Sequence, residues 1–293
     1  AISDRSFMVD VINLLNSEKE VYAMIAPAIE GQFGATASTG VITEALKQLG
    51  FTGVYEVALG ADLVAASEAE EWAEAYKEGK KKTTSCCPAF VKMIKKHYPS
   101  LVDHISSTIS PMQATAKYVK AIHKDAITVF IGPCIAKKGE VLDHIAEGGT
   151  DYALTFDELY AMLRAKEINL ATIGENIQHG SIYAKNFAVA GGVTASVVEA
   201  LKEKGIDAPI SVAGCNGAAE CKKALMLLKV GKFPQDFMEG MCCEGGCVNG
   251  PGSILTGRFA EQNRSKLLST VDDRKIYDTV DSCEELNIQM HRH

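Results

Sequence analysis

Short apolar runs alternate along the chain with longer stretches in which apolar residues recur every three or four positions. The runs predict buried strands, and the three-to-four spacing predicts amphipathic helices. The predicted strands are Val21–Ala26, Val54–Ala58, Ile127–Ile131, Phe187–Ala190 and Ile210–Ala213. The predicted helices are Val41–Leu49, Ala61–Glu78, Phe90–His97, Met112–His123, Phe156–Arg164, Ala195–Lys204 and Ala218–Leu228. This alternation predicts an α/β protein with mostly parallel sheets covered by helices.

The length of the chain suits one large domain. Its 293 residues can bury a sizeable core, and no repeat, low-complexity tract or long linker divides them. We therefore expect a single domain over residues 1–293, built as two lobes. The polar tail after about Asp281 is expected to form a final helix or a frayed end, in which His291 and His293 are solvated.

The composition is that of a globular protein, and the charge excludes some partners. Hydrophobic residues make up 47% of the chain and charged residues 23%. A net charge of −7 argues against nucleic acid or an anionic membrane as a partner. No apolar run reaches the length of a membrane span, and Ala1–Ser6 lacks the features of an export signal. We expect a cytoplasmic protein, in which cysteines serve as metal ligands or catalysts more often than as disulfides.

Most of the nine cysteines fall in three short segments. Thr84–Pro88 reads TSCCP, Gly132–Lys138 reads GPCIAKK, and Met241–Cys247 reads MCCEGGC. Each combines cysteine with proline or glycine, which let the backbone approach a bulky inorganic cluster closely. Four thiolates suffice for one cubane 4Fe–4S cluster, but the wide spacing is unlike that of a ferredoxin or a structural zinc site. It indicates a cluster held between parts of the fold; the alternative is a set of buried structural thiols.

Together the three segments resemble the signature segments of the FeFe-type (iron-only) hydrogenases. Those enzymes make and split dihydrogen on the H-cluster, a 4Fe–4S cubane joined to a two-iron subsite that carries CO, CN and a bridging azadithiolate. The resemblance runs from about Val21 to Gly252. It implies that the cluster lies between the two lobes. It also implies that Cys87, Cys134 and Cys243 ligate the cubane, and that Cys247 bridges the cubane and the two-iron subsite.

The resemblance also assigns residues to the pocket around the two-iron subsite. Lys137, three residues after Cys134, corresponds to a lysine that pairs with a cyanide ligand in the family. The alternative is a solvated pair of Lys137 and Lys138. The remaining residues that the resemblance assigns to this pocket are Met241, Phe187, Pro27, Ala28, Pro133 and Gln113.

A proton path is the third feature that the resemblance implies. Cys86 corresponds to the cysteine that passes protons to the bridging amine of the subsite. Pro88 suits the first turn of a helix, and a helix N-terminus is expected to lower the pKa of a nearby thiol. Glu68 and Glu71, three apart on a predicted helix, correspond with Ser106 to the outer groups of the path. The alternative is that the glutamates belong to a solvated acidic run.

Several positions depart from the family pattern. Gly132 stands where the best-known members carry methionine, and Cys242 stands where they carry alanine. Ala75 replaces an arginine at the outer end of the proton path, and Ala28 replaces a serine near the cyanide. These departures resemble the compact, divergent and sensory branches of the family. They bear on rate, direction and oxygen tolerance more than on cluster assembly.

The resemblance implies a function and partners. We expect reversible reduction of protons to dihydrogen with low-potential electrons. No ferredoxin-like cysteine run precedes the core, so electrons are expected from a ferredoxin or an electron-transfer partner subunit, and the two-iron subsite from maturation proteins. The alternatives are a slow hydrogen sensor with the same cofactor and a non-catalytic iron–sulfur assembly protein. The scattered thiols Cys215, Cys221 and Cys283 are expected to be buried structure.

Overall fold

Two parallel sheets form the framework of the protein, as seen in a computed structural model that describes residues 5–144, 148–170 and 174–292. The strands are β1 (Val21–Ile25), β2 (Gly53–Glu56), β3 (Lys82–Thr83), β4 (Ile127–Gly132), β5 (Tyr152–Thr155), β6 (Val212–Asn216) and β7 (Phe237–Met241). A four-stranded sheet has the order β2-β1-β4-β5, and a three-stranded sheet has the order β3-β7-β6. Each pairing between these strands is parallel. The predicted α/β architecture is confirmed.

Helices cover both sheets. They are α1 (Met8–Leu15), α2 (Thr39–Leu49), α3 (Val57–Lys77), α4 (Pro88–His97), α5 (Pro111–Ile122), α6 (Ile135–His144), α7 (Phe156–Ala165), α8 (Ile182–Asn186), α9 (Gly192–Glu203), α10 (Ala218–Lys229), α11 (Gly257–Leu268) and α12 (Ile276–Cys283). The long helix α3 packs against α5, α8, α9 and α12. Its Trp72 is fully buried and stacks on Phe237 of β7, with 3.9 Å between ring centroids. This contact ties the central helix to the three-stranded sheet. Within the described part of the chain, no helix is both long and apolar enough to cross a membrane.

The carboxyl ends of strands from both sheets lead into the cysteine segments. In the four-stranded sheet, β4 ends at Gly132, immediately before Pro133 and Cys134. In the three-stranded sheet, β3 leads into the segment with Cys86, and β7 ends at Met241. Parallel strands bring the segments at their carboxyl ends to one edge of a sheet, which is where ligands bind in α/β proteins. The fold thereby gathers cysteines that lie far apart in the sequence.

Three strand predictions need correction. The strand predicted over Ile210–Ala213 is displaced, because β6 runs from Val212 to Asn216. Phe187–Ala190 is not a strand but a run of turns after α8, which begins because the Ser181 hydroxyl accepts a hydrogen bond from the amide of Ala184. A four-residue apolar run cannot by itself distinguish a strand from a helix end. In Val54–Ala58 the strand stops at Glu56, and helix α3 begins at Val57.

The prediction for the tail is confirmed in part. Helix α12 ends at Cys283 and a 3₁₀ helix follows over Glu284–Leu286, but residues 287–292 are not helical and are held by hydrogen bonds. His291 forms an antiparallel bridge with Thr108. His291 is exposed, as expected, and its Nδ1 also lies 2.9 Å from the hydroxyl of Ser107. His293 lies outside the described residues.

Candidate metal centre

An apolar cavity lies where the two sheets meet. It contains about 840 Å³ of space not filled by protein atoms, including its opening to solvent. Small and apolar side chains such as Ala26, Val57 and Phe130 form much of its wall. Six thiols line it: Cys86, Cys87, Cys134, Cys242, Cys243 and Cys247. The structure thus brings the four predicted ligands and the predicted proton carrier together.

Helix α4 places the first two thiols. Cys87 is the N-cap residue of this helix and Pro88 its first residue, as predicted. Cys86 packs against the hydrophobic cluster around α3, whereas Cys87 packs against the cluster between α4 and α10. Adjacent residues therefore send their thiols to different neighbours, which suits two separate roles.

Tight turns place Cys243 and Cys247. Gly245 and Gly246 both have positive φ, 80° and 93°, in the turn that joins the two cysteines. A Cβ on Gly246 would lie 2.7 Å from the carbonyl oxygen of Ala188 and from the amide nitrogen of Ala190. Only glycine fits there, and so this turn holds Cys247 against the cavity.

The donor set fits an iron–sulfur cluster better than a single ion. Among the described residues, no three or more His, Cys, Asp or Glu side chains lie close enough together to hold one metal ion. A cluster of four irons holds its ligand thiolates further apart than one ion does. Four thiols that face one apolar cavity from separate segments meet this requirement.

Lys137 is a buried cation beside the cavity. Its Nζ lies 2.7 Å from a carboxylate oxygen of Glu140 and donates to the carbonyl of Cys86 at 3.2 Å. Burial alone would lower the pKa of Lys137, but Glu140 outweighs it and the net pKa is raised. Lys138 is also buried and pairs with Glu158. The two lysines are therefore not the solvated pair of the alternative interpretation.

The other predicted pocket residues divide into two groups. Pro27, Ala28, Pro133, Phe187 and Met241 all line the cavity. Gln113 is not among the lining residues; its Oε1 accepts a hydrogen bond from the amide of Thr150.

A residue that the sequence did not single out explains the departure at Gly132. A Cβ on Gly132 would lie 2.4 Å from Cζ of Phe130. The Phe130 ring lines the cavity and occupies the space that a side chain at position 132 would need. Phe130 thus supplies wall that the methionine of better-known members would otherwise supply.

The predicted proton groups lie on α3 and on two neighbouring segments. Glu68 is fully buried, and Ser106 is 1% exposed. The Ser106 hydroxyl donates to Glu71 at 2.6 Å. Neither carboxylate oxygen of Glu68 has a described hydrogen-bond partner of good geometry, although Ser106 and the Ser85 backbone lie near enough to favour its charged form. The glutamates are not a solvated acidic run.

Burial sets the proton affinities of the inner groups. It raises the pKa of Glu68 to about 8, and the neighbouring charge of Glu71 adds to the effect. Burial also raises the pKa of the Cys86 thiol well above its usual value, with Glu68 and Glu239 contributing. The expectation that the helix N-terminus would lower the Cys86 pKa is therefore wrong, because desolvation of the thiolate outweighs the helix dipole.

A lysine pairs with the outer glutamate. Lys82 of β3 approaches Glu71 within 2.8 Å, and both side chains are mostly buried. Burial would raise the pKa of Glu71, but hydrogen bonds from Lys82, Ser106 and the Ser107 amide lower it overall. Ala75, which replaces the family's arginine, is buried. The position of Lys82 beside α3 cannot be predicted from the sequence, because it depends on the parallel pairing of β3 with β7.

A group of neighbouring thiols behind the candidate cluster ligands was also not predicted from the sequence. Cys215, Cys221 and Cys283 are buried, as expected. However, the Cys221 thiol donates to the backbone carbonyls of Cys215 at 3.9 Å and Met241 at 3.6 Å. Cys242, the residue after Met241, lies near enough to both Cys221 and Cys87 for these thiols to lower its pKa. The spacing of Cys215 and Cys221 gives no sign of this, because it arises from the packing of α10 on β6 and β7.

Comparison with known proteins identifies the family. Residues 19–251 match the family model of the iron-only hydrogenase large subunit, C-terminal domain. Because the match covers most of the chain, the protein belongs to this family, whose members carry iron–sulfur clusters. A solved FeFe-hydrogenase variant from Chlamydomonas reinhardtii has the same fold: the TM-score is 0.79 at 22% identity, covering 99% of this chain and 96% of that one.

The curated relatives include both hydrogenases and cytosolic Fe–S cluster assembly factors. Iron hydrogenase 1 of Clostridium pasteurianum is 28% identical to this chain, over 86% of this chain and 53% of that protein. The chain thus spans about half the length of that relative. The periplasmic iron hydrogenase large subunit of Nitratidesulfovibrio vulgaris is also 28% identical, over 86% of this chain and 73% of its own length. A cytosolic Fe–S cluster assembly factor of Danio rerio is 22% identical, over 87% and 77%.

The assignment of cluster ligands can be tested by iron content. Cys87→Ala, Cys134→Ala and Cys243→Ala should each lose most of the cluster iron, because each removes one thiolate from a set of four. Cys283→Ala removes a buried thiol that does not line the cavity and is the matched control. Iron per chain and the visible absorption of the anaerobically purified protein are the measurements. Equal iron loss in the control would contradict the assignment.

Proposed function

We propose that the protein is an FeFe hydrogenase that reversibly reduces protons to dihydrogen with low-potential electrons. One observation carries the proposal: the cavity that gathers the four candidate ligand thiols also contains a fifth, Cys86, next to the buried acid Glu68. A cluster scaffold needs only the ligands. A thiol and a carboxyl that are both neutral near pH 7 can in addition carry protons to and from the cavity.

The chain's own residues account for binding and for proton movement. Cys87, Cys134 and Cys243 would hold the cubane, Cys247 would join it to the two-iron subsite, and Lys137 would offer an ammonium to a cyanide ligand. When bound, that subsite with its CO, CN and azadithiolate would supply the redox chemistry on dihydrogen. The wall of the cavity is apolar, so proton exchange within it would depend on the positioned groups.

The proton route would run from Cys86 through Glu68 to Ser106 and Glu71. Glu68, with a pKa of about 8, holds a proton at neutral pH and can release it with little cost. The Ser106 hydroxyl donates to Glu71, whose carboxylate is kept ionised by Lys82. Glu71 and Lys82 also line a wide surface depression, through which protons would exchange with solvent.

Two alternative functions would also use an iron–sulfur cluster but would involve little or no hydrogen turnover. The assembly factor relative supports a non-catalytic scaffold, but a scaffold has no use for a buried acid placed beside Cys86. Ala28, Gly132, Cys242 and Ala75 support a slow hydrogen sensor, because they alter the wall and the outer end of the proton route. We regard the sensor as a variant of the same chemistry.

Maturation tests the cofactor. Expressed without maturation enzymes, the protein should contain the cubane alone and evolve no hydrogen. Addition of a synthetic two-iron precursor should give carbonyl and cyanide infrared bands and switch on activity, since the pocket can accept the subsite. Infrared spectroscopy and a hydrogen assay with reduced methyl viologen are the measurements. Absence of the bands after addition would leave only the scaffold.

The proton relay predicts a separation between turnover and cofactor binding. Cys86→Ala should lower hydrogen turnover by about 10²–10⁴-fold, the usual contribution of positioned proton transfer, while the carbonyl and cyanide bands persist. Cys86→Asp should recover part of the rate, because a carboxyl also carries a proton. Glu71→Gln should slow turnover as well, and Glu70→Gln, exposed on the same helix but outside the surface depression, is its control. Wild-type turnover in Cys86→Ala with the bands intact would mean that protons enter elsewhere.

Electrons would enter over α10, from a ferredoxin or an electron-transfer partner subunit in the cytoplasm. The buried face of this helix carries Cys221, which contacts the cluster loop at Cys242. Its outer face exposes Met226 at 61% and, just beyond the helix end, Val230 at 63%. The exposed lysines Lys222, Lys223 and Lys229 surround this apolar patch. An apolar centre within a basic rim fits an acidic iron–sulfur carrier.

Charge reversal tests this docking face. Lys222→Glu with Lys223→Glu should raise the KM for an acidic ferredoxin by about tenfold or more, because the attraction between the partners is lost. Turnover with methyl viologen should stay unchanged. Lys47→Glu in α2 with Lys166→Glu just after α7, two exposed lysines away from α10, is the matched control. Equal effects in both double variants would place docking elsewhere.

A further inference from the structure

The tail segment, residues 289–292, runs alongside residues 107–109, which directly follow Ser106 of the proposed proton route. The amide of Ile109 donates to the carbonyl of Met290 at 2.7 Å, and the amide of Arg292 donates to the carbonyl of Ser107 at 2.8 Å. Lys117 of α5 adds a bond to the carbonyl of Gln289 at 3.0 Å. The backbone of the tail segment is therefore held in one register.

This register aims Arg292 at the segment that carries Cys86. Its Nη2 donates to the carbonyl of Ser85 at 3.1 Å. Ser85 is also held from its other side, because its hydroxyl donates to the carbonyl of Thr108. Arg292 thus joins the Thr84–Pro88 segment to the residues that follow Ser106, and these are the two segments that flank Glu68.

The Arg292 guanidinium also brings a positive charge close to Glu68, where few cations lie. The groups that act on Glu68 include Glu71 on the same helix, Cys86 on the neighbouring segment, and Arg292, which also acts on Glu140. Glu71 opposes ionisation of Glu68, whereas Arg292 favours it. Lys137, the other nearby cation, is already paired with Glu140.

We propose that Arg292 is a positioning residue of the proton relay, which fixes the backbone beside Cys86 and supplies the counter-charge that lets Glu68 release its proton. The role of Arg292 in proton transfer rests on the proposed function. Its structural content, a cation from the tail segment acting on a buried acid, does not depend on any bound cofactor. It can therefore be tested on the protein before the two-iron subsite is added.

The experiment is an infrared titration of the Glu68 carboxyl in the purified full chain. The C=O band of the protonated acid is assigned as the one that disappears in Glu68→Gln. In the wild type the band should titrate near pH 8. Removal of a nearby cation favours the neutral acid, so the midpoint should rise by about one pH unit in Arg292→Gln. Arg292→Lys, which keeps the charge, should retain the wild-type midpoint.

Arg274→Gln is the matched control. Arg274 also donates to a backbone carbonyl, that of Gln178 at 2.8 Å, but it does not act on Glu68. The control should leave the midpoint unchanged. If Arg292→Gln does not fold, Arg292→Met keeps much of the side chain's length without its charge and should give the same rise.

The outcomes distinguish this inference from the proposed function. A wild-type midpoint in the charge-removing Arg292 variants, or an equal rise in Arg274→Gln, would overturn the role of Arg292. Failure of the two-iron precursor to give carbonyl and cyanide bands would overturn the hydrogenase proposal and leave the titration result standing. In protein that does mature, Arg292→Gln should shift the pH profile of turnover in the alkaline direction, and Arg292→Lys should restore it.

Discussion

Burial of charge beside an apolar cavity is the constraint on which this structure depends. Lys137 borders the cavity with Glu140 as its counter-ion. Lys185 of α8 is bound between Glu30 and Glu56, close to the turn at Pro27 that forms another part of the wall. An unpaired charge in such surroundings would cost several kcal/mol. The Lys137–Glu140 pair lies within α6, and the bond from Lys137 to the carbonyl of Cys86 ties this helix to the Thr84–Pro88 segment. The Lys185 pairs tie α8 to Glu30 and Glu56.

The sequence predicts some levels of this organisation much better than others. Helices with a continuous apolar stripe, such as α2 and α5, are found where the periodicity places them. The ligand segments are also recognisable, because glycine and proline beside cysteine have few other uses. Strand β7 was missed because Glu239 and Gly240 interrupt its apolar pattern, and Glu239 is tolerated there only through hydrogen bonds from Thr194 and Gly191.

The surroundings of the proton groups lie beyond what the sequence can predict. The positions of Glu68 and Glu71 follow from helical spacing. Their counter-charges come from Lys82 on a two-residue strand and Arg292 in the tail segment, and neither has a local pattern that points to α3. The pKa of Cys86 was misjudged for a related reason. A helix N-terminus is visible in the sequence, but the depth of burial that outweighs it is not.

Phe130 in the cavity wall and Gly132 beside it limit which residues each position can accept. A side chain at position 132 would collide with the Phe130 ring and would also come within 3.0 Å of Ala26. A larger residue at 132 therefore requires the Phe130 ring to move or position 130 to become smaller, whereas a smaller residue at 130 alone leaves a gap in the wall. The effect of a substitution at either position thus depends on which residue occupies the other.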